Sequence, residues 1–363
     1  VAIGFDNNVE GENSIAVGSS NIVKGKQSSA FGVRNQASEI ESTSVGYANE
    51  AMGQYSSAIG HKNIVNKGAN NSSAIGEDNI ITSSKSIAFG RKNTVKSFSS
   101  SVVGTENTIE ANSGNSVAMG ALNKVETEAS NSIVSGRKNA VQQGSSHAVA
   151  FGEENTVKGS YIYAFGGENK IIGNDSSAIG KKNEVEGRYN LVLGAENKVK
   201  GSHNTVIGEK NEVAKNSEYN FMLGSNIKVK ENIKNSIVLG KDSTVEESDV
   251  VSIGATGKER KIVHVKEGVA DTDAVNVSQL KKYSSDLEKK GLNFAGNDEV
   301  SVHRDLGQTL ALKGEGVDKA ASKDFKGAAG NINVKNSKNG ELLLQLAEEL
   351  KNIKSLSNGE NKI

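Results

Sequence analysis

Few residues in this chain are of kinds that do covalent chemistry. There is no cysteine among its 363 residues, which excludes thiolate nucleophiles, disulfides and zinc–cysteine sites and leaves the redox compartment open. Five histidines, His61, His147, His203, His264 and His303, are dispersed, with no G-x-S-x-G elbow and no G-x-x-x-x-G-K loop to join them. Asp6-Asn7-Asn8-Val9-Glu10-Gly11 starts like an EF-hand loop, but Val17 stands where the twelfth-position Glu is required. The chain therefore reads as a non-enzyme without metal or cofactor. What remains is suited to recognition: His147, Tyr161, Asp175, Tyr189, His203 and Tyr219 recur at intervals of 14 or 16 residues. Tyrosine, with an apolar body and a polar tip, is a favoured anchor at protein interfaces.

That spacing belongs to a larger lattice, which must position these residues. From Gly4 to Gly254, eighteen glycines follow one another at intervals of 14 or 16, the signature of a repeat architecture. An apolar residue precedes almost every one (Ile3, Val17, Phe31, Ile59, Phe89; Ser135 is the exception), and a small or aliphatic residue stands before that (Ala16, Ala30, Ala58, Ala118). Asparagine follows three residues after the glycine in the first fifteen units, from Asn7 to Asn211, and Val, Ile or Ala follows after five, as in Val9, Val65 and Ile81. Each unit thus reads as two short extended segments, punctuated by residues that tolerate left-handed turns. Stacked at about 4.8 Å, such coils make a solenoid of roughly 80 Å in which the asparagine amides form a ladder.

Proline is absent from the whole chain, as expected where almost every backbone N–H is needed for sheet pairing. In Ser116-Val117-Ala118-Met119-Gly120 three adjacent residues are apolar, so a strand there is apolar on both faces. A narrow coil covers only one face, which leaves the other to a second chain or, if the alanine side faces solvent, to water. An obligate oligomer packed along the rod is expected. The 43 basic and 43 acidic residues cancel, against a binder of nucleic acid. No run of 18 apolar residues spans a bilayer as a helix, and the chain opens at Val1 without a leader pattern.

Beyond about Gly257 the lattice stops. Val277, Leu280, Ser284 and Leu287 have the three-four spacing of a short coiled-coil seam. Gly291 to Gly296, Leu310 to Gly314 and Asn331 to Val334 read as short strands with glycine turns. The run Leu342 to Leu350 suits a helix by periodicity and a strand by its triple leucine.

The repeated Asn-Ser-Ile-Ala-Val-Gly (13–18), Asn-Ser-Val-Ala-Met-Gly (115–120) and Asn-Ser-Ile-Val-Leu-Gly (235–240), followed by Asp-Ala-Val-Asn-Val-Ser-Gln-Leu (273–280), resemble the head and neck of trimeric autotransporter adhesins of the YadA type. The resemblance implies an all-β, left-handed parallel β-roll of about 14 residues per coil, assembled as a homotrimer, with a head at 1–256, a neck at 257–282, a short coiled coil at 283–290 and a small β-prism stalk module at 291–363. Gly291-Leu292-Asn293 stands near where such modules carry Gly-Ile-Asn, and the module implies a strand at Leu342 to Leu346. It further implies display on a Gram-negative outer membrane through an anchor absent from these residues, and adhesion to a host protein. A CEACAM-type receptor suits a local patch, and collagen or another matrix protein suits motifs spread along the rod. A passive spacer is the other reading; a carbohydrate-processing β-helix would need acids clustered on one face, which the scattered acids do not supply. The stripe His147, Tyr161, Asp175, Tyr189, His203 and Tyr219 is the candidate contact surface; its rings equally suit stacking on one another or on a neighbouring subunit.

Overall fold

The computed structural model describes the chain except residues 313–318, 325, 337–341, 359 and 363. It divides into two compact units, Val1–Lys261 and Ile262–Ile363.

The first unit is a parallel β-solenoid of about eighteen turns. One wall is an 18-stranded sheet of mostly five-residue strands, and a row of two- and three-residue strands forms the other. Every neighbouring pair is parallel and in lattice register: Ala118 lies beside Val134 and Gly120 beside Gly136. Alternation along the long strand sends the residue two before the lattice glycine inward. Ala16, Ala30, Ala58, Ala118, Ala164 and Ala178 are fully buried there, against Val23, Val65, Ile81, Val125 and Ile171 from the short strands. The bulky residues of the long strand point out, among them Phe31, Phe89, Val103, Met119, Phe151 and Ile179. The possibility that the alanine side faces solvent is thus corrected. The coil is too thin to hold two columns of large side chains, so the small column goes inside and the large one outside.

The asparagine ladder is present. Asn123 Oδ1 accepts from the backbone N–H of Asn139 at 3.0 Å and from its Nδ2 at 3.0 Å. Asn123 Nδ2 in turn reaches Asn107 Oδ1 at 3.0 Å and the carbonyls of Met119 and Gly136 at 2.9 Å each. A buried amide so used satisfies backbone groups that the turn would otherwise leave unpaired. Asn123→Ala strands the Asn139 N–H and amide in a dry interior and is expected to cost about 3 kcal/mol of unfolding free energy. Asn8→Ala, on the exposed face of a short strand, is expected to stay within about 0.5 kcal/mol. Urea unfolding of the two variants checks the contrast.

At the last coil Arg260 closes the open end, donating to Ser243 Oγ at 2.8 Å and to the carbonyls of Ile253 at 2.6 Å and Lys241. The first residues expected in the neck therefore fold with the roll.

In the second unit a helix spans Val277–Lys290, beginning before the expected coiled-coil start at 283. Asn276 caps it, accepting from Gln279 N at 2.9 Å, while Gln279 Oε1 accepts from Asn276 N at 3.3 Å. This reciprocal capping box fixes the helix start. Gln279 also clasps Gly268 through both its N–H and its carbonyl, at 2.9 Å each. Val277, Leu280 and Leu287 of the seam are exposed. Among the described residues three antiparallel strand pairs follow: Leu292–Ala295 with Ser301–Arg304, Ile332–Asn336 with Leu342–Leu346, and Ser357–Asn358 with Asn361–Lys362. The triple leucine is thus strand, where cross-strand pairing with Ile332–Asn336 outweighs helical periodicity. Of the strand expected at 310–314, residues 310–312 are irregular and Lys313 and Gly314 lie outside the described residues. A short helix at Lys319–Asp324 was not foreseen.

Candidate partner-binding surface

The six candidate residues occupy one corner of the roll, five positions before the lattice glycine, where the backbone turns in the left-handed region. Their φ values run from 52° at His147 to 59° at Tyr219. That conformation costs tyrosine and histidine about 1 kcal/mol each, and coil-to-coil bonds hold it: Tyr161 N–H donates to Ser146 O at 3.0 Å and His203 N–H to Arg188 O at 2.8 Å.

All six side chains are exposed, and five of them form ring stacks. His147 stacks on Tyr161 with centroids 4.8 Å apart and planes 13° from parallel. His203 is sandwiched between Tyr189 at 4.7 Å and Tyr219 at 4.5 Å. These spacings equal the distance between paired strands, so the coils themselves set the stack, and each pair returns about 0.5–1.5 kcal/mol. Asp175 divides the column into two stacks. Tyr55 occupies the same corner alone between Glu41 and Asn71, in left-handed conformation, and belongs to the register although the sequence reading did not include it.

The backing of the column also changes along its length. The residue after each corner is Ser in the early coils, and its hydroxyl links coils, as Ser14 Oγ accepts from Ser28 N at 3.0 Å. Behind His147 and Tyr161 stand buried Ala148 and Ile162. Behind the second stack stand Asn190, Asn204 and Asn220, a second amide ladder bonded at 3.3 and 3.1 Å. This ladder escaped the sequence reading because serine and asparagine there looked like ordinary turn residues. A further ring pair, Tyr47 on His61 at 5.3 Å, lies in the register just after the lattice glycine, outside the stripe.

Charges elsewhere cancel locally. Arg137 pairs with Glu153 at 2.5 Å, Lys138 with Glu154 at 2.9 Å and Lys182 with Glu168 at 3.6 Å. The hydrogen bond from Lys138, then its charge, hold the Glu154 carboxyl below its usual range. Such exposed pairs add little stability, but they leave these columns with both signs rather than a basic face. Among the described residues no three acidic, imidazole or thiol groups gather as a metal site. In the EF-hand-like segment the Asn7 amide is committed to Gly18 O at 2.9 Å, and Asn8 to Glu10 Oε1 at 2.9 Å. No helix among the described residues is long and apolar enough to cross a membrane.

Three families match parts of the chain. The YadA head domain repeat matches residues 1–21 and 24–49, the coiled stalk of trimeric autotransporter adhesin matches 261–299, and the grass antifreeze beta roll matches 111–208. No curated protein matches the chain. Among solved structures it is similar to the collagen-binding domain of the Yersinia adhesin YadA, at 23% identity over 58% of this chain and 86% of that one, with a TM-score of 0.23. That score is too low for the likeness to bear on function. The head repeat and the coiled stalk match separate stretches of the chain, one at its start and one at 261–299. With a parallel roll of about 14 residues per coil and a capped helix within the stalk match, the two matches support a trimeric autotransporter adhesin.

Proposed function

We propose that the chain is the passenger region of a Gram-negative surface adhesin, a non-enzymatic homotrimer whose roll binds a host cell-surface protein through its side. The family is one of bacterial cell-surface proteins. The trimer is supported by the outward face of the long strands. One column there, with Phe89, Phe151, Ile179 and Leu223, is apolar and exposed, and beside it Ile87, Ile133, Leu191 and Ile237 are exposed among serines and threonines such as Ser57, Ser101 and Thr205. A contiguous apolar face of that length exceeds what soluble monomers leave in water. Threefold symmetry then presents every side-chain patch three times, and avidity raises weak single contacts.

The observation that carries the receptor reading is the confinement of this corner's ring stacks to the coils between His147 and Tyr219. A local aromatic patch suits a folded receptor domain of the CEACAM type. A fibrous matrix ligand such as collagen would be served by motifs repeated along the whole rod. Tyr161→Ala combined with Tyr189→Ala is expected to lower adhesion to receptor-bearing cells at least tenfold while circular dichroism and trimer mass stay unchanged. Unaltered adhesion by the folded double variant overturns the assignment of the stripe. Unaltered collagen binding alongside lost cell adhesion is the expected separation of the two ligand types.

The antifreeze-like reading is disfavoured by the short-strand face. Over the matched coils its outward column runs Lys124, Ala140, Thr156, Lys170, Glu184, Lys198, a mostly charged column with a single hydroxyl rather than a row of small hydroxyls.

A further inference from the structure

The interruption of the ring column by Asp175 creates a binding feature of its own. Tyr161 gives one ring face to His147, and Tyr189 gives one to His203. Because successive coils stack along the rod axis, the remaining face of each tyrosine looks along that axis toward the coil of Asp175. The two rings are two coils apart, about 9.6 Å at the inter-strand spacing. All three residues share the left-handed corner conformation, with φ 56°, 53° and 56°, so their side chains leave the backbone in equivalent directions. Asp175 is shorter than the tyrosines and lies at the base of the slot between them.

Asp175 is exposed, and its carboxylate has no hydrogen bond or ion pair among the described residues. Glu154 and Glu168, in the column two residues after the lattice glycine, are by contrast paired with lysines. Arg188, the cation beside Tyr189 in sequence, uses its backbone N–H on Ser202 Oγ at 3.2 Å and makes no ion pair with Asp175. The slot therefore combines two free π faces with an unpaired carboxylate. A cation at its centre lies about 4.8 Å from each ring centroid, inside the roughly 6 Å range of cation–π attraction. The same corner already holds one such contact, Lys85 Nζ at 5.2 Å from the Phe98 centroid.

We propose that Tyr161, Asp175 and Tyr189 form a cation slot that takes an arginine side chain of the partner protein. Arginine suits it better than lysine. The planar guanidinium stacks on an aromatic face, offers two parallel N–H donors to the carboxylate and loses less hydration on entering a half-open site. The slot deepens the reading of the stripe as a receptor surface, and rests on that reading only for the source of the arginine.

Saturation-transfer NMR on the full chain with Nα-acetyl-arginine methylamide tests the slot directly, with the lysine analogue and tetramethylammonium as comparison probes. The arginine probe is expected to bind with millimolar affinity and to outcompete both others, with saturation strongest at its Cδ protons. Asp175→Asn is expected to weaken it at least fivefold. Asp175→Tyr, which continues the ring column and fills the slot, is expected to abolish binding without unfolding the roll. Equal binding to wild type and to Asp175→Tyr overturns the proposal, as does preference for tetramethylammonium, which marks an aromatic cage without the carboxylate. If the probe binds while Tyr161→Ala with Tyr189→Ala leaves adhesion intact, the slot stands and the receptor reading falls. If adhesion depends on the tyrosines but the probe does not bind, the receptor reading stands and the slot falls.

Discussion

Gly104→Val is expected to unfold the middle of the roll. Gly104 has φ +127°, and a Cβ added there would lie 1.9 Å from the carbonyl oxygen of Gly120 in the next coil. The obstacle is backbone, fixed by the same ladder that pairs the two strands, so no rotamer change relieves it. Adding a backbone conformation that L-residues rarely adopt, the expected cost is about 4 kcal/mol or more. Because each coil contacts only its neighbours, the damage is local at first. Hydrogen exchange is expected to lose protection around the coils of Gly90, Gly104 and Gly120 before the ends. Gly68 is the contrasting position: it sits in the wider corner of a 16-residue unit with φ +85°, and a Cβ added there would meet nothing within 4 Å. Gly68→Asn is expected to cost no more than about 1 kcal/mol. Thermal unfolding of the pair measures the difference between a glycine required by close approach and one required only by its turn.

Adjacent substitutions on one strand are expected to have opposite consequences. Ala178 is fully buried inside the coil, whereas Ile179 is 44% exposed on the outward apolar face. Ala178→Asp places an unpaired carboxylate in the interior and is expected to cost more than about 4 kcal/mol, unfolding the chain locally. Ile179→Asp is expected to leave the fold of a single roll within about 1 kcal/mol of wild type. In the proposed trimer, however, it buries three carboxylates near the threefold axis. An association penalty of about 3 kcal/mol or more, at least a hundredfold, is expected. Circular dichroism separates the first variant from wild type, and sedimentation velocity separates the second.

These two strand positions also show how far the sequence could be read. The glycine lattice gives the coil length and the asparagine register because a solenoid copies one local conformation, so each repeat confirms the last. That both faces of Ser-Val-Ala-Met-Gly are apolar is equally plain. Which face is inside is not, since alternation is symmetric; the volume of a coil closed by so short a strand decides it, and alanine or valine fills the inward position in all buried turns but those of Ser44 and Met222. The stripe was legible as a column because its spacing equals the coil period. Its division into two stacks follows from Asp175, but the left-handed corner and the second amide ladder of Asn190, Asn204 and Asn220 depend on hydrogen bonds between coils that no single repeat displays. In the second unit the repeat ends and so does that redundancy. The helix starts at Val277, the first residue of the seam and ahead of the segment bounded at 283, because Asn276 caps it and Gln279 is tied to Gly268 and Asn276, a tertiary clasp that seam spacing does not encode.

On this reading the roll is folded as a protomer but covers its outward apolar column only with two further copies. Multi-angle light scattering of the purified chain at micromolar concentration tests this most directly. The expected mass is three times the 38.1 kDa of one chain, unchanged on tenfold dilution. A well-folded species at the mass of a single chain contradicts it.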